Sequence, residues 1–364
     1  MKKSLLAVAL LGAFGVASAQ SSVTVYGTMD AGVGYTNGAN AAGTQTTLES
    51  GQQSYSRIGF KGTEDLGGGL KALFVLEQGV QLDTGSSGYN TTGSNTSTST
   101  TSGNTGTFSS QAYVGLGGNF GTVKLGRQFS PLYETYASID PFQNGFSANI
   151  NNFFGNSSST TSVAAGGNVA SYQRMSNAVT YSTPDNLYGF KGTVAYGFGE
   201  QAGDTSAQSQ VGASLSYING PLTVAYAYHQ ANNDTVVGSV ATPGETFKTN
   251  FIGAAYDFNV VKVHAAFDQN QQADQTLKTQ DYMLGVTVPF GAHSVFADYT
   301  HKDNKLVQNA DADQYAIGYT YTLSKRTNLY TSYSYVKNKE DSYINTDVAG
   351  NSVSTFQVGM RHSF

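Results

Sequence analysis

The chain has 364 residues, with 19 basic and 24 acidic side chains and a formal net charge of −5; it has no Cys and no Trp, but 43 Gly, 24 Tyr and 20 Phe. Charged residues make up 12%, about half the 25% of an ordinary soluble domain, yet mean hydropathy is only −0.27, so Ser, Thr, Asn, Gln and Gly supply the polar character. This excludes a disulfide scaffold or Cys-ligated metal site, a nucleic-acid binder, which would need clustered positive charge, and a helical membrane protein, for which no apolar run of about 20 residues is found after the N-terminus.

Met1-Lys2-Lys3 forms a basic start, Leu5 to Val16 an apolar stretch, and Ala17-Ser18-Ala19 a small-residue cleavage site. The pattern predicts a secretory signal peptide over residues 1–19 and a mature chain over residues 20–364. Cleavage removes Lys2 and Lys3 and takes the formal charge from −5 to −7.

From there the hydrophobic period is two. Val23, Val25, Met29, Ala31 and Val33 alternate with polar residues, as do Leu222 to Tyr228, Val261 to Phe267, Tyr282 to Val288, Tyr315 to Tyr321 and Phe356 to Phe364. Strict alternation predicts strands with one apolar and one polar face. Counting such segments gives about 16 strands, centred near Met29, Ile58, Phe74, Val114, Val123, Val179, Val194, Ala213, Val224, Ala254, Val263, Val286, Ala297, Ile317, Tyr333 and Val358. Short turns fall at residues 64–69, 117–121, 183–187, 219–221, 258–260, 289–292 and 323–327. Longer polar loops fall at 37–53, 81–107, 129–171, 200–207, 231–246, 269–278, 302–310 and 338–352. Short turns on one side and long loops on the other are the pattern of an outer-membrane barrel. In lipid every backbone N–H and C=O must be paired between strands, with no open edge. The predicted fold class is therefore all-β, a transmembrane antiparallel β-barrel of 16 strands, with a lumen wide enough to hold water. Residues 81–107 form a low-complexity Ser/Thr/Asn/Gly loop. The Asn-X-Ser/Thr matches at Asn90, Asn95, Asn156 and Asn233 are what chance gives in such loops.

Several blocks resemble the general diffusion porins of Gram-negative outer membranes, in their trimeric 16-stranded branch. They are Ser22-Val23-Thr24-Val25-Tyr26-Gly27, the run from Ser56 to Ala72, the run from Gly121 to Gln128, Leu323-Ser324-Lys325-Arg326-Thr327, and the final Val358 to Phe364. The resemblance covers essentially the whole mature chain. It implies a homotrimer set in outer-membrane lipid and lipopolysaccharide, no cofactor, and a third loop, here residues 129–171, folded into each lumen. A Pro-Glu-Phe-Gly block carried by some relatives in that loop is replaced here by Asp140 to Phe146.

A diffusion pore needs no nucleophile; it needs a width limit and a charge arrangement across it. Strand parity puts Asp30, Tyr55, Arg57, Lys61, Lys71, Glu77 and Arg174 on the lumen side. Arg127 has the parity of the lipid-facing Val123 and Leu125, and reaches the lumen only if the chain turns inward near Gly126. The resemblance implies that Arg57, Arg127 and Arg174, joined by Lys61 and Lys71, form the basic side of the constriction. Glu134 and Asp140, the only acids between Arg127 and Arg174, are the candidate acidic side. Local charges at a narrow point outweigh loop charges screened beyond about 8–10 Å, so the expected preference is weakly to moderately anionic. The five His are scattered, and Asp311 and Asp313 lack the rest of a calcium loop; the chain is read as no enzyme and as holding no metal. Alternatives are a substrate-specific channel for a sugar or organic acid, a barrel enzyme, and an adhesin acting through its long loops.

Overall fold

The computed structural model describes residues 22–88, 107–154, 172–185, 187–232, 235–237, 240–242, 246–273 and 277–364. The signal segment, most of the low-complexity loop, residues 155–171 of the third loop, and Asn90, Asn95, Asn156 and Asn233 lie outside them.

One antiparallel sheet closes on itself. Its strands in chain order are β1 (Ser22–Asn40), β2 (Gly43–Ser50), β3 (Arg57–Gly67), β4 (Leu70–Gly79), β5 (Gln111–Gly118), β6 (Gly121–Phe129), β7 (Arg174–Ser182), β8 (Phe190–Gly197), β9 (Gln210–Asn219) and β10 (Leu222–Asn232). A small loop hairpin, β11 (Thr235–Val237) and β12 (Val240–Thr242), comes next. The wall resumes with β13 (Thr246–Asp257), β14 (Lys262–Gln272), β15 (Lys278–Phe290), β16 (His293–Asn304), β17 (Ala312–Ser324), β18 (Thr327–Asn338) and β19 (Val353–Ser363). Each predicted strand centre falls inside one of these. β2 and β3 both pair with β1 and are two parts of one span, so the barrel has 16 spans.

Closure joins the two ends of the chain. β1 pairs with β19 from Thr28 opposite Ser363 to Asn37 opposite Ser354. Gly27 and Phe364 exchange both backbone hydrogen bonds, at 3.2 and 3.1 Å. A Cβ at Gly27 would sit 2.5 Å from the Phe364 ring, so only glycine lets the terminal aromatic lie across the seam. Outward positions carry Val114, Leu125, Ile252, Leu284, Ile317 and Val358, all exposed. These apolar rows face lipid. Aromatics cluster at both ends of the spans: Phe190 with Tyr217 and Tyr256 with Phe258 near the short turns, Tyr196 with Phe198 and Tyr299 with Tyr315 near the long loops. Such belts suit the two membrane interfaces, where one end of the ring is apolar and the other wet.

The loop expected at residues 37–53 is mostly strand. β1 runs on to Asn40 and returns as β2, with Gln45 opposite Thr36 and Leu48 opposite Val33. The alternation there is largely polar because this hairpin stands at the long-loop end, where an apolar face is not required. The span then breaks over residues 51–56. Asp30 makes up for the lost ladder: its Oδ2 accepts the N–H groups of Gln53 and Ser54 at 3.0 and 2.7 Å, and its backbone carbonyl accepts from Ser56 Oγ.

The third loop fills the break and lies against the inner wall. Ser130 caps α1 (Pro131–Ile139), its Oγ accepting from Tyr133 N, with Pro131 at the first helical position, where its missing N–H and fixed φ cost nothing. A short α2 (Ile150–Phe153) follows the tip. Leu132, Tyr136 and Ile139 of α1 are buried with Ala225 and Ala227 of β10 and Phe251 of β13. Glycines make the seat: Cβ atoms at Gly212, Gly253 and Gly285 would lie 2.8, 2.8 and 2.5 Å from Pro131, Ile139 and Pro141. Glycine inside a strand marks such close approach. At the tip, Phe146 N donates to Gln52 O and Ser147 N to Gln357 Oε1. The loop thus covers the inner wall from β9 round to β1, and the open path runs along β3 to β8.

Candidate pore constriction

Register carries the side-chain directions around the open wall. Tyr26 stands opposite Gly59, which stands opposite Glu77, so Tyr26, Arg57, Lys61 and Glu77 share the lumen face. Arg57 Nε lies 3.2 Å from Glu77 Oε2, and its Nη1 donates to Tyr55 O at 3.3 Å. Glu77 is buried and also accepts from Tyr26 Oη at 3.0 Å and from Ser110 Oγ. Ser110 then links to the second arginine: Arg174 Nε donates to Ser110 O at 3.2 Å. The Arg174 guanidinium sits over Phe129 at 4.9 Å and near Tyr55 at 5.5 Å. Phe129 stacks on Tyr133 of the loop at 4.9 Å, and both arginines bear electrostatically on Tyr133. The site is therefore a cationic corner framed by aromatic faces, which hold a guanidinium by its plane.

The other predicted residues are distributed differently. Lys61 faces the lumen over the Tyr26 ring at 5.0 Å, four residues from Arg57 and so roughly 13 Å towards the short turns at about 3.3 Å per residue. Lys71 is on the lumen row of β4 opposite Asp65 at the turn, six residues and roughly 20 Å from Glu77 by the same rise; it belongs to the rim.

Arg127 sits at a break in the ladder. On the β5 side it stands opposite Ala112, which Leu76 and Phe60 carry on the outward row, but Gly126 just before it has a φ of +129° and interrupts the alternation. Its guanidinium bonds to Ser109 O and Ser176 Oγ. β6 slips register against β7 between Gly126 and Gln128, at Arg127 itself.

Glu134 projects from α1 into the open path. The cations acting on it are Lys124 and Lys191 rather than the two arginines. Asp140 is 2% exposed and faces into its own loop. It accepts from Phe142 N and Asn144 N at 2.9 Å and from Ile150 N at 3.1 Å. Burial pushes its carboxyl up to about 6, against these three donors. It staples a tip in which Gln143, Asn144 and Phe146 all have positive φ, and that is why an acid is needed there.

Three further groups face the lumen: Glu77, which parity places there, and Lys124 and Arg361, which are readable from parity but not named. Lys124 alternates with Val123 and Leu125 and lies 5.1 Å over Tyr113. Glu77 neutralises part of the Arg57 charge. Arg361, between the outward Met360 and His362, donates to Asn328 Oδ1 at 3.1 Å. It borders a hollow of about 370 Å³ under the loop tip, lined also by Phe142, Phe146, Phe296 and Arg326. Asp311 pairs with Lys339 and Asp313 with His301. Among the described residues there is no cluster of three His, Asp or Glu able to hold a metal, and no helix is long and apolar enough to cross a membrane.

A closed barrel with an apolar outer face, a polar lumen and an inserted loop defines a bacterial outer-membrane channel. The chain belongs to the Gram-negative porin family, whose model matches residues 6–341. It is 35% identical to outer membrane porin protein 32 of Delftia acidovorans, with all of both chains covered. It is 34% identical to an outer membrane porin of Bordetella pertussis, over 93% of this chain and 95% of that one. Among solved structures it resembles the anion-selective porin from Comamonas acidovorans, with a TM-score of 0.79 and 32% identity over 94% of this chain and 100% of that one. The protein is a passive diffusion channel of the outer membrane.

Proposed function

We propose that the channel passes ions and small hydrophilic solutes with a preference for anions, and that Arg57 and Arg174 set that preference. The observation that carries the reading is that both guanidinium groups meet at Tyr55, Arg57 partly exposed and Arg174 buried over Phe129 beside the third loop. Glu77 is the one acid ion-paired there among the described residues, and Lys61 and Lys124 extend the positive face. A guanidinium stays charged at any working pH, and fixed charge at a narrow point sorts solutes by sign. The anion-selective name of the Comamonas relative is consistent with this. The working form is a homotrimer in lipid and lipopolysaccharide, exported by cleavage after residue 19, and it performs no catalytic step.

The test is the reversal potential of the purified protein in a planar bilayer under a KCl gradient. An anion-preferring potential in wild type that moves towards cations in Arg57→Glu supports the reading. A cation-preferring wild type hands control to Glu134 and the acidic loops and overturns it.

A further inference from the structure

Behind the third loop, on the wall away from the open path, lies a cluster of charges with no access to water. Lys302 of β16 and Asp281 of β15 are 0% exposed and 2.8 Å apart, Nζ to Oδ2. Asp268 of β14 is also 0% exposed. The Asn270 side-chain nitrogen lies 2.5 Å from Asp268 Oδ2 and 3.1 Å from Asp281 Oδ2, and Thr249 Oγ1 donates to its oxygen at 2.7 Å. Buried charges are costly unless paired and fully hydrogen-bonded. These charges also cannot steer a permeating ion, because loop residues screen them from the open path.

Apart from long contacts of Asp281 and Asn270 with Thr279 Oγ1 of β15, both at 3.4 Å, their remaining bonds go to the loop. Tyr136 Oη, in α1, donates to Asp268 Oδ1 at 3.0 Å. The Phe154 carbonyl, just after α2, accepts from Lys302 Nζ at 3.2 Å and from Asn270 Nδ2 at 3.0 Å. The ammonium lies 5.9 Å from the Phe153 ring. The cluster therefore grips the loop at two points, one on each side of the tip. Everything between Tyr136 and Phe154, including the Asp140 staple and the contacts of Phe146 with β1's neighbours, is bracketed by it.

We propose that Lys302, Asp281 and Asp268, joined through Asn270, are positioning residues that set the aperture by clamping both flanks of the third loop to β14–β16. The charges are what make the clamp selective for one position. When the loop is seated, one ammonium, one amide and one phenol reach three of the four carboxylate oxygens, Asp268 Oδ1 and Oδ2 and Asp281 Oδ2. If the loop lifts, Asp268 loses the phenol, and Lys302 and Asn270 lose their shared carbonyl, so water must enter to replace them. Removing the cation alone leaves two carboxylates facing each other behind the loop, which favours hydration and an unseated loop. Removing cation and anion together leaves less charge to hydrate. The proposal rests on the passive-channel reading.

The experiment compares wild type, Lys302→Met, and Lys302→Met combined with Asp281→Asn in planar bilayers, each checked for a folded, heat-modifiable barrel on gels. Lys302→Met is expected to lose the wild-type conductance level in favour of a shifted and noisier one, and to weaken the anion preference. The double variant is expected to return towards the quiet wild-type level. Unchanged conductance and noise in folded Lys302→Met overturns the proposal, as does a double variant no quieter than the single one. A purely structural role would lower heat resistance and leave both electrical readouts alone. Should Lys302→Met fail to fold, Tyr136→Phe removes one grip while keeping the ion pair; added closures support the clamp and unaltered records overturn it. A wild-type protein that does not conduct would sink the channel reading itself, separately from the clamp.

Discussion

The Cβ position of Gly253 lies 2.8 Å from Cγ2 of Ile139, so the third loop rests on the barrel wall only because β13 carries no side chain there. Replacing Gly253 with Val forces the end of α1 off the wall and into the open path. Overpacking of this kind costs about 1–3 kcal/mol. The expected outcome is a smaller single-pore conductance with a modest loss of heat resistance. Conductance recorded against wild type checks it, and an unchanged level would mean that the wall, not the loop, gives way.

Arg57 and Arg127 make a matched pair for selectivity. Both are expected at the constriction; register puts Arg57 on the lumen face, whereas Arg127 sits at the register slip of β6, bonded to Ser109 O and Ser176 Oγ. Arg57→Glu should move the reversal potential towards cations. Arg127→Ala should change the permeability ratio less, because it removes one charge rather than reversing one and takes it from a guanidinium held by Ser109 and Ser176, and it should lower heat resistance. A selectivity change in Arg127→Ala that equals the one in Arg57→Glu would contradict this placement.

The barrel was legible in the sequence because lipid on one side and water on the other impose a period of two on each span. Parity alone placed Arg57, Lys61, Glu77 and Arg174 on the lumen face. It gave Arg127 the lipid-facing parity, and there counting by twos fails, because β6 slips register at that residue. Scarcity of acids singled out Glu134 and Asp140, but scarcity says nothing about direction, and Asp140 turned out to serve three backbone N–H groups inside the loop. The hairpin at residues 37–50 was missed because polar alternation above the membrane looks like loop composition. The buried cluster around Lys302 was unreadable for a different reason. A lumen-facing Lys has the same parity whether water or a folded-back loop covers it, and coverage depends on contacts between residues more than a hundred positions apart.

Asp140 gives the loop tip a pH dependence with a definite sign. Burial lifts its carboxyl to about 6 in the folded loop, from 3.8 when exposed. The folded tip therefore holds its proton up to higher pH than the unfolded one. Its stability falls as pH rises from about 4 to about 6 and is flat above that. Closures of the open pore should be rarer at pH 4.5 than at pH 7.5. In Asp140→Asn that difference between the two pH values should vanish, and recording both proteins at both values checks it.

Glu77 is the residue that holds the anion preference in check. Its carboxylate lies 3.2 Å from Arg57 Nε and takes two further hydrogen bonds, from Tyr26 and Ser110. Glu77→Gln keeps the shape and one acceptor oxygen but removes the charge, so Arg57 presents its full positive field to the lumen. The Arg57 side chain is 32% exposed, and water can therefore solvate the unpaired guanidinium, which keeps the stability cost small. The permeability ratio of chloride to potassium should rise above wild type, opposite in sign to Arg57→Glu, and most at low salt, where the Debye length reaches about 30 Å at 0.01 M. Reversal potentials at two ionic strengths check both the sign and the salt dependence. If Glu77→Gln and Arg57→Glu move the ratio in the same direction, the pair acts through loop position rather than through charge.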